Sequence, residues 1–335
     1  PQASPEDLAA AAAAMVRMED ADTALSLAAE GAALYQREVI KRDGYEYCSR
    51  AVALAERGEF RESVRSASKA LHVALASGNE DLLAKAYRDF AIVFNYANQR
   101  ERARQFAQLA LQRRSEDPTQ VVGPANKILG DVAAREGEHA EAIGHYEAAL
   151  AGSSENFRPL VQASLVNVLI ASGDTARARR ELDAIPSPRD PALAAQLVRT
   201  QGNLLLAEGR IEEALATFTR LAAEQAGRDD GYQRVWALEG MSRAEEALGR
   251  PDDAARSLDL ALAGLDAVRA RFRSEEFKSG MFADAQALFA RAILLASDTG
   301  QAERAFVLSE RSRARALLDA VADRATVSGT AVAAM

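Results

Sequence analysis

Gly58, Asn98, Gly137, Gly173, Gly209, Gly249 and Gly300 punctuate this chain at spacings of 40, 39, 36, 36, 40 and 51 residues. A fixed period of this size constrains a fold more than any single motif, because each unit must bury its apolar face against its neighbours. The flanking positions repeat as well. Five residues after each turn stand Ser63, Ala103, Ala142, Ala178, Ala214, Ala254 and Ala305. Seven residues before each turn stand Ala51, Ala91, Gly130, Val166, Gly202, Ser242 and Ile293, mostly small. Larger apolar residues follow nine positions after the turn, as at Tyr146, Phe218 and Leu258.

This is the pattern of paired helices. A left-handed residue caps the first helix, small residues let two backbones approach beside the turn, and larger ones fill the gap further along. The composition agrees, since the apolar 48% is mostly Ala and Leu with aromatics at only 6%. Pro118, Pro124, Pro159, Pro186, Pro188, Pro191 and Pro251 are expected between the helices, where a missing N–H costs nothing. In "SPEDL", Ser4 reads as an N-cap with Pro5 in the first turn, and a degenerate first pair is expected over residues 5–43. The fold class is therefore all-α: an α-solenoid superhelix of about eight helix pairs, with repeats of 36–40 residues.

The alanine and glycine positions resemble the tetratricopeptide repeat (TPR), over nearly the whole chain. The resemblance implies a right-handed superhelix whose first helices line a concave face used for partners. Six and ten residues before the turns, with Asn95 nearby, this face gathers Arg88, Asn95, Lys127, Asp131, Asn167, Arg199, Asn203 and Arg243. Asn both donates and accepts toward a peptide backbone, and Arg grips carboxylates through two N–H groups. The expected partner is a protein or peptide, extended and acidic.

The step from Gly249 to Gly300 is the longest, at 51 residues. The segmentation expected is a superhelix over 1–265, a long-helix coupling segment over 266–320, and a flexible tail or linker over 321–335. Within the coupling segment, Arg271, Ser274, Glu275 and Phe277 mark a break. Beyond it come Ala305, Phe306, Glu310, Arg311, Arg313, Ala314, Arg315, Leu317, Leu318 and Asp319. These residues resemble the segment preceding the peptidase in bacterial proteins that join TPR repeats to a caspase-like domain of the CHAT type. That resemblance implies a regulatory or sensory arm, with Arg304, Arg311 and Arg315 as one basic helix face docking a downstream peptidase or other effector. The peptidase's own His and Cys have no counterpart in the 16 residues after Asp319. A free-standing adaptor or peptide-signal receptor is the alternative.

Other chemistry is weakly signalled. Cys48 and His72 fall on neighbouring helices without an oxyanion loop to serve a nucleophile. His139 and His145 are six apart, not the four that place two metal ligands on one helix face. No enzyme activity, cofactor or metal is expected. A net charge of −8 argues against nucleic acid. No apolar run is long enough for membrane insertion. The single cysteine suits a cytoplasmic location; export, with a leader removed before Pro1, is the other reading.

Overall fold

A computed structural model describes residues 42–57, 59–227, 231–271 and 285–314. Asn98, Gly137, Gly173, Gly209, Gly249 and Gly300 all have positive φ, between 53° and 86°. Each of these turns closes one helix and opens the next. Gly58, the N-terminal pair as far as residue 41, the break at Ser274, Glu275 and Phe277, and the tail lie outside the described residues.

The described residues form fourteen α-helices and no strand. In chain order they are α1 (42–56), α2 (Phe60–Ser77), α3 (Glu80–Tyr96), α4 (Arg100–Leu111), α5 (Val122–Glu136), α6 (His139–Ala151) and α7 (Arg158–Ala171). The series continues with α8 (Thr175–Asp183), α9 (Pro191–Ala207), α10 (Ile211–Glu224), α11 (Tyr232–Ala247), α12 (Pro251–Arg271), α13 (Ala285–Asp298) and α14 (302–314). A short 3-10 turn, Pro118–Gln120, precedes α5. Odd-numbered helices are the first of each pair, even-numbered ones the second.

Consecutive helices pack on each other along the stack. The first helices also touch one another: α3 meets α5, α5 meets α7, α7 meets α9, and α9 meets α11. This puts the odd helices on the inner, shorter-radius face. The core is correspondingly serial, a chain of buried clusters that each span a few adjacent helices.

The repeat positions explain the packing. Ala103, Ala142, Ala178, Ala214 and Ala254 are fully buried beside their turns. Ser63, the exception to alanine, donates its Oγ to the carbonyl of Ala51 at 2.7 Å, joining the two small positions of its pair. The larger residue sits on the small one. A Cβ on Gly130 would fall 2.7 Å from the Tyr146 ring. One on Gly202 or Gly240 would fall 2.6 or 2.5 Å from Phe218, which is wholly buried between α9 and α11. Aromatic stacking of Phe90, Phe94 and Phe106, with centroids 4.8–5.9 Å apart, does the equivalent work at α3 and α4.

The prolines differ in detail from expectation. Pro186 and Pro188 lie between helices, but Pro124, Pro159, Pro191 and Pro251 stand inside the first turns of α5, α7, α9 and α12. First-turn N–H groups have no intrahelical acceptor, so proline starts these helices instead of separating them. Asp190 completes one such start by accepting from the N–H groups of Ala192 and Leu193.

Candidate functional site

The first helices carry a polar row, and in the structure that row is tied together. In α3 and α5, the Asn95 amide donates to Asp131 Oδ2 at 3.2 Å and its Oδ1 accepts from Arg135 at 2.6 Å. Lys127 donates to both Asp131 oxygens, at 3.1 and 2.8 Å, and the Tyr146 hydroxyl adds a bond of 2.9 Å. Burial alone would raise the Asp131 carboxyl. The charges of Lys127 and Arg135, with the hydrogen bonds from Lys127 and Tyr146, outweigh it and hold the group low.

Arg88 is engaged differently. Its Nε donates to the buried Asp89 at 2.7 Å, and NH1 donates to the Gln120 carbonyl at 2.8 Å. Its charge is thus spent on Asp89 and on fixing the 3-10 turn before α5. The ten-before register is itself uneven, since Cys48 and Ala163 there are buried in the core.

The row resumes in the second half. Thr200 donates to Asn167 Oδ1 at 3.3 Å, linking α7 to α9. Arg243 donates to Asn203 Oδ1 at 3.2 Å, linking α9 to α11. Glu239, which sequence reasoning did not single out, lies 3.9 Å from Arg243 and 3.7 Å from Arg291 of α13. Arg291 also pairs with Glu246 at 2.8 Å. Burial pushes the Glu239 carboxyl up, and Arg243, Arg291 and Arg199 together do not pull it back to its ordinary value. Between α5 and α7 no side-chain bond runs directly among the described residues; Tyr146 of α6 links them, bonded to Asp131 and to Ser164.

Two aromatic residues share this stripe. Tyr232, Trp236, Glu239 and Arg243 follow one another at steps of four, three and four along α11. The two rings meet edge to face at 5.9 Å. Tyr96, at the end of α3, is 45% exposed. Its hydroxyl is nevertheless pushed up to about 12, by burial first and then by Glu56, Asp131 and Tyr232.

The C-terminal arginines turn back onto the stack. Arg304 donates to the Ala255 carbonyl at 3.1 Å and to Asp259 at 2.9 Å. Arg311 donates to Asp266 at 3.2 Å and lies 5.8 Å from the centre of the Phe289 ring. Both seat α14 on the preceding pair; Arg315 lies outside the described residues. Phe306 and Val307, by contrast, are 65% and 50% exposed. Cys48 is buried, and burial raises its thiol well above the ordinary range, with Asp89 adding to the effect. Glu141 and His145 form a surface pair at 3.6 Å.

Residues 133–201 match the family model described as tetratricopeptide repeat. The crystal structure of a Rap protein complexed with competence and sporulation factor is 13% identical, with a TM-score of 0.61 over 83% of this chain and 78% of that one. The apo form of RapI is 15% identical, with a TM-score of 0.60 over 81% of this chain and 98% of that one. No curated protein matches this sequence significantly. At such identities the likeness establishes the fold alone: an α-solenoid built from TPR-like helix pairs. Among the described residues, no helix is long and apolar enough to cross a membrane.

Proposed function

We propose that the concave face receives an extended acidic peptide, either free or as the tail of a partner protein. The observation that carries this reading is the ladder of Asn, Lys and Arg side chains along the odd helices. Its cations Lys127, Arg135, Arg199, Arg243 and Arg291 outnumber the acids Asp131, Glu239 and Glu246. Burial further weakens the charge that Glu239 contributes. A peptide carboxylate can therefore take up Arg243, while Asn95 and Asn203 exchange their internal partners for peptide amides. A similar fold crystallised with competence and sporulation factor supports the reading.

The test is a random-heptapeptide phage selection on the intact chain at low and high salt. Acidic sequences should be enriched, less so at high salt and less so on Arg243→Ala. Enrichment without charge preference, or preference unchanged in Arg243→Ala, would sink the proposal.

A second reading makes the chain the regulatory arm of a CHAT-type peptidase system. Exposed Phe306 and Val307 on α14 favour it, as an apolar strip on which a following domain can seat. The intact mass of the native protein in its source cells decides. A species much heavier than 35.9 kDa with a Cys–His dyad beyond Met335 supports the arm. A species at that mass favours the free-standing receptor.

A further inference from the structure

We infer that Arg199, Arg243 and Arg291, drawn from α9, α11 and α13, form the anion subsite of the concave face, and that its occupant is a phosphorylated side chain of the bound peptide. This rests on the peptide-binding reading and adds the class of residue that the groove selects.

Three successive first helices build the subsite around Glu239. Arg243 NH1 lies 3.9 Å from Glu239 Oε2 and Arg291 NH1 lies 3.7 Å from Oε1, so one guanidinium stands beside each carboxylate oxygen. Arg199 follows by register. Asn203 and Arg243 are bonded across the contact of α9 with α11, and Arg199 and Glu239 stand one turn before them on the same two helices.

The cage is wider than the carboxylate it holds. Both separations exceed the roughly 2.7–3.2 Å of an N–H···O hydrogen bond. Asp131, by contrast, takes bonds of 2.8–3.2 Å from Lys127, Tyr146 and Asn95, so its site is filled. Arg291 also keeps an enclosed Nε–H with no acceptor among the described residues, where enclosed donors usually have one. The side chains of Arg243 and Arg291 are 37% and 27% exposed, against 18% for Glu239, so ligand meets the guanidiniums before it meets the acid.

Charge and shape choose the occupant. The three guanidiniums face two acids, Glu239 and Glu246, and Glu246 holds only the NH2 of Arg291, at 2.8 Å. A peptide carboxylate brings two oxygens and a single charge. A phosphoryl group brings three acceptor oxygens and about two charges, and so can engage guanidiniums from three helices at once. Arginine at all three positions suits it, because the planar fork meets phosphate oxygens two at a time. Glu239 is the acid that yields, since burial already weakens its charge.

The probe is the tightest acidic heptapeptide from the selection, acetylated and amidated at its ends. It is made with Glu, Ser or phosphoserine at each acidic position in turn and titrated calorimetrically against the intact protein. At one position phosphoserine should bind about tenfold more tightly than Glu, and Glu more tightly than Ser. The phosphorus resonance of that peptide should titrate at lower pH when bound than when free, where the second pKa is about 6, because guanidiniums favour the dianion. Trp236, the chain's single tryptophan, stands one turn from Glu239, and its emission should change on binding. Arg291→Lys keeps the charge but loses the fork, and should remove most of the preference over Glu. Phosphoserine no tighter than Glu at every position, an unshifted phosphorus titration, or a preference unchanged in Arg291→Lys would overturn the subsite while leaving acidic-peptide binding intact. Inorganic phosphate that binds as tightly as the phosphopeptide would assign the cage to a free anion and overturn the peptide side chain as its occupant. If the selection yields no acidic peptide at all, the groove reading fails first and the subsite with it.

Discussion

Phe218 is held between two glycines, Gly202 and Gly240, with no room for a methyl group on either. Glycine in a helix interior normally costs about 1 kcal/mol relative to alanine. At Gly240 the sign reverses, because overpacking a filled core costs about 1–3 kcal/mol. Gly240→Ala should therefore lower the urea midpoint, through a net loss of about 1 kcal/mol in unfolding free energy. Gly144→Ala should raise it, since nothing lies within 4 Å of a Cβ there and the site is exposed. Similar shifts in the two variants would refute the packing account. Glu239 sets a second residue-scale expectation. Its neighbours are Arg199 of α9, Arg243 and Glu246 of α11, and Arg291 of α13. Its raised carboxyl gains a proton as pH falls, leaving the arginines with less internal charge. As pH falls toward about 4, above which a peptide's own carboxylates remain ionised, acidic-peptide affinity should rise. Glu239→Gln should bind more tightly at neutral pH and flatten that dependence in calorimetric titrations.

At the scale of elements, Asp81 fastens α3 to the loop before α5. It accepts from Tyr45, from Lys85 at 2.9 Å, from Ser115 Oγ at 2.7 Å and from the Glu116 N–H at 2.8 Å. Burial acts to raise its carboxyl, and these four hydrogen bonds together override it and hold it well below the usual range. A depressed folded value contributes stability that is complete above the unfolded pKa of about 4 and is lost as pH falls below it. Asp81→Asn should cost about 3 kcal/mol at neutral pH, and the gap should shrink as acid protonates the native carboxylate. Denaturation series at neutral and acid pH test this; a gap independent of pH would exclude the linkage. Asp81 also shows where sequence reading stops. The helix ends were legible, because a left-handed turn admits few residues besides Gly and Asn, and Asn98 obeys the rule. The alanines beside the turns were legible because their close approach repeats. The partners of Asp81 come from three separate segments with no repeating signal. Likewise, Asn203 and Arg243 were recognisable by register, whereas Glu239 and Arg291 acquire meaning only once α11 and α13 are adjacent.

For the whole molecule, the ladder of side-chain bonds runs directly from α7 to α13 and between α3 and α5, whereas between α5 and α7 it passes only through Tyr146 of α6 among the described residues. The two stretches should flex against each other at that gap, as helix stacks with only neighbour contacts do. A peptide spanning Asn95 and Asn203 bridges it. Small-angle scattering should then show a smaller radius of gyration on binding, and no change would argue that the groove is already rigid.

The serial core has a kinetic consequence. Its clusters each span a few adjacent helices, and the side-chain bonds between first helices join residues about one repeat apart. Contacts of that range close short loops and form fast. During refolding, helix content and the packing of α11 should therefore return close together. The lone indole, whose ring meets that of Tyr232, is the clock that reads how soon the face is finished after its helices form.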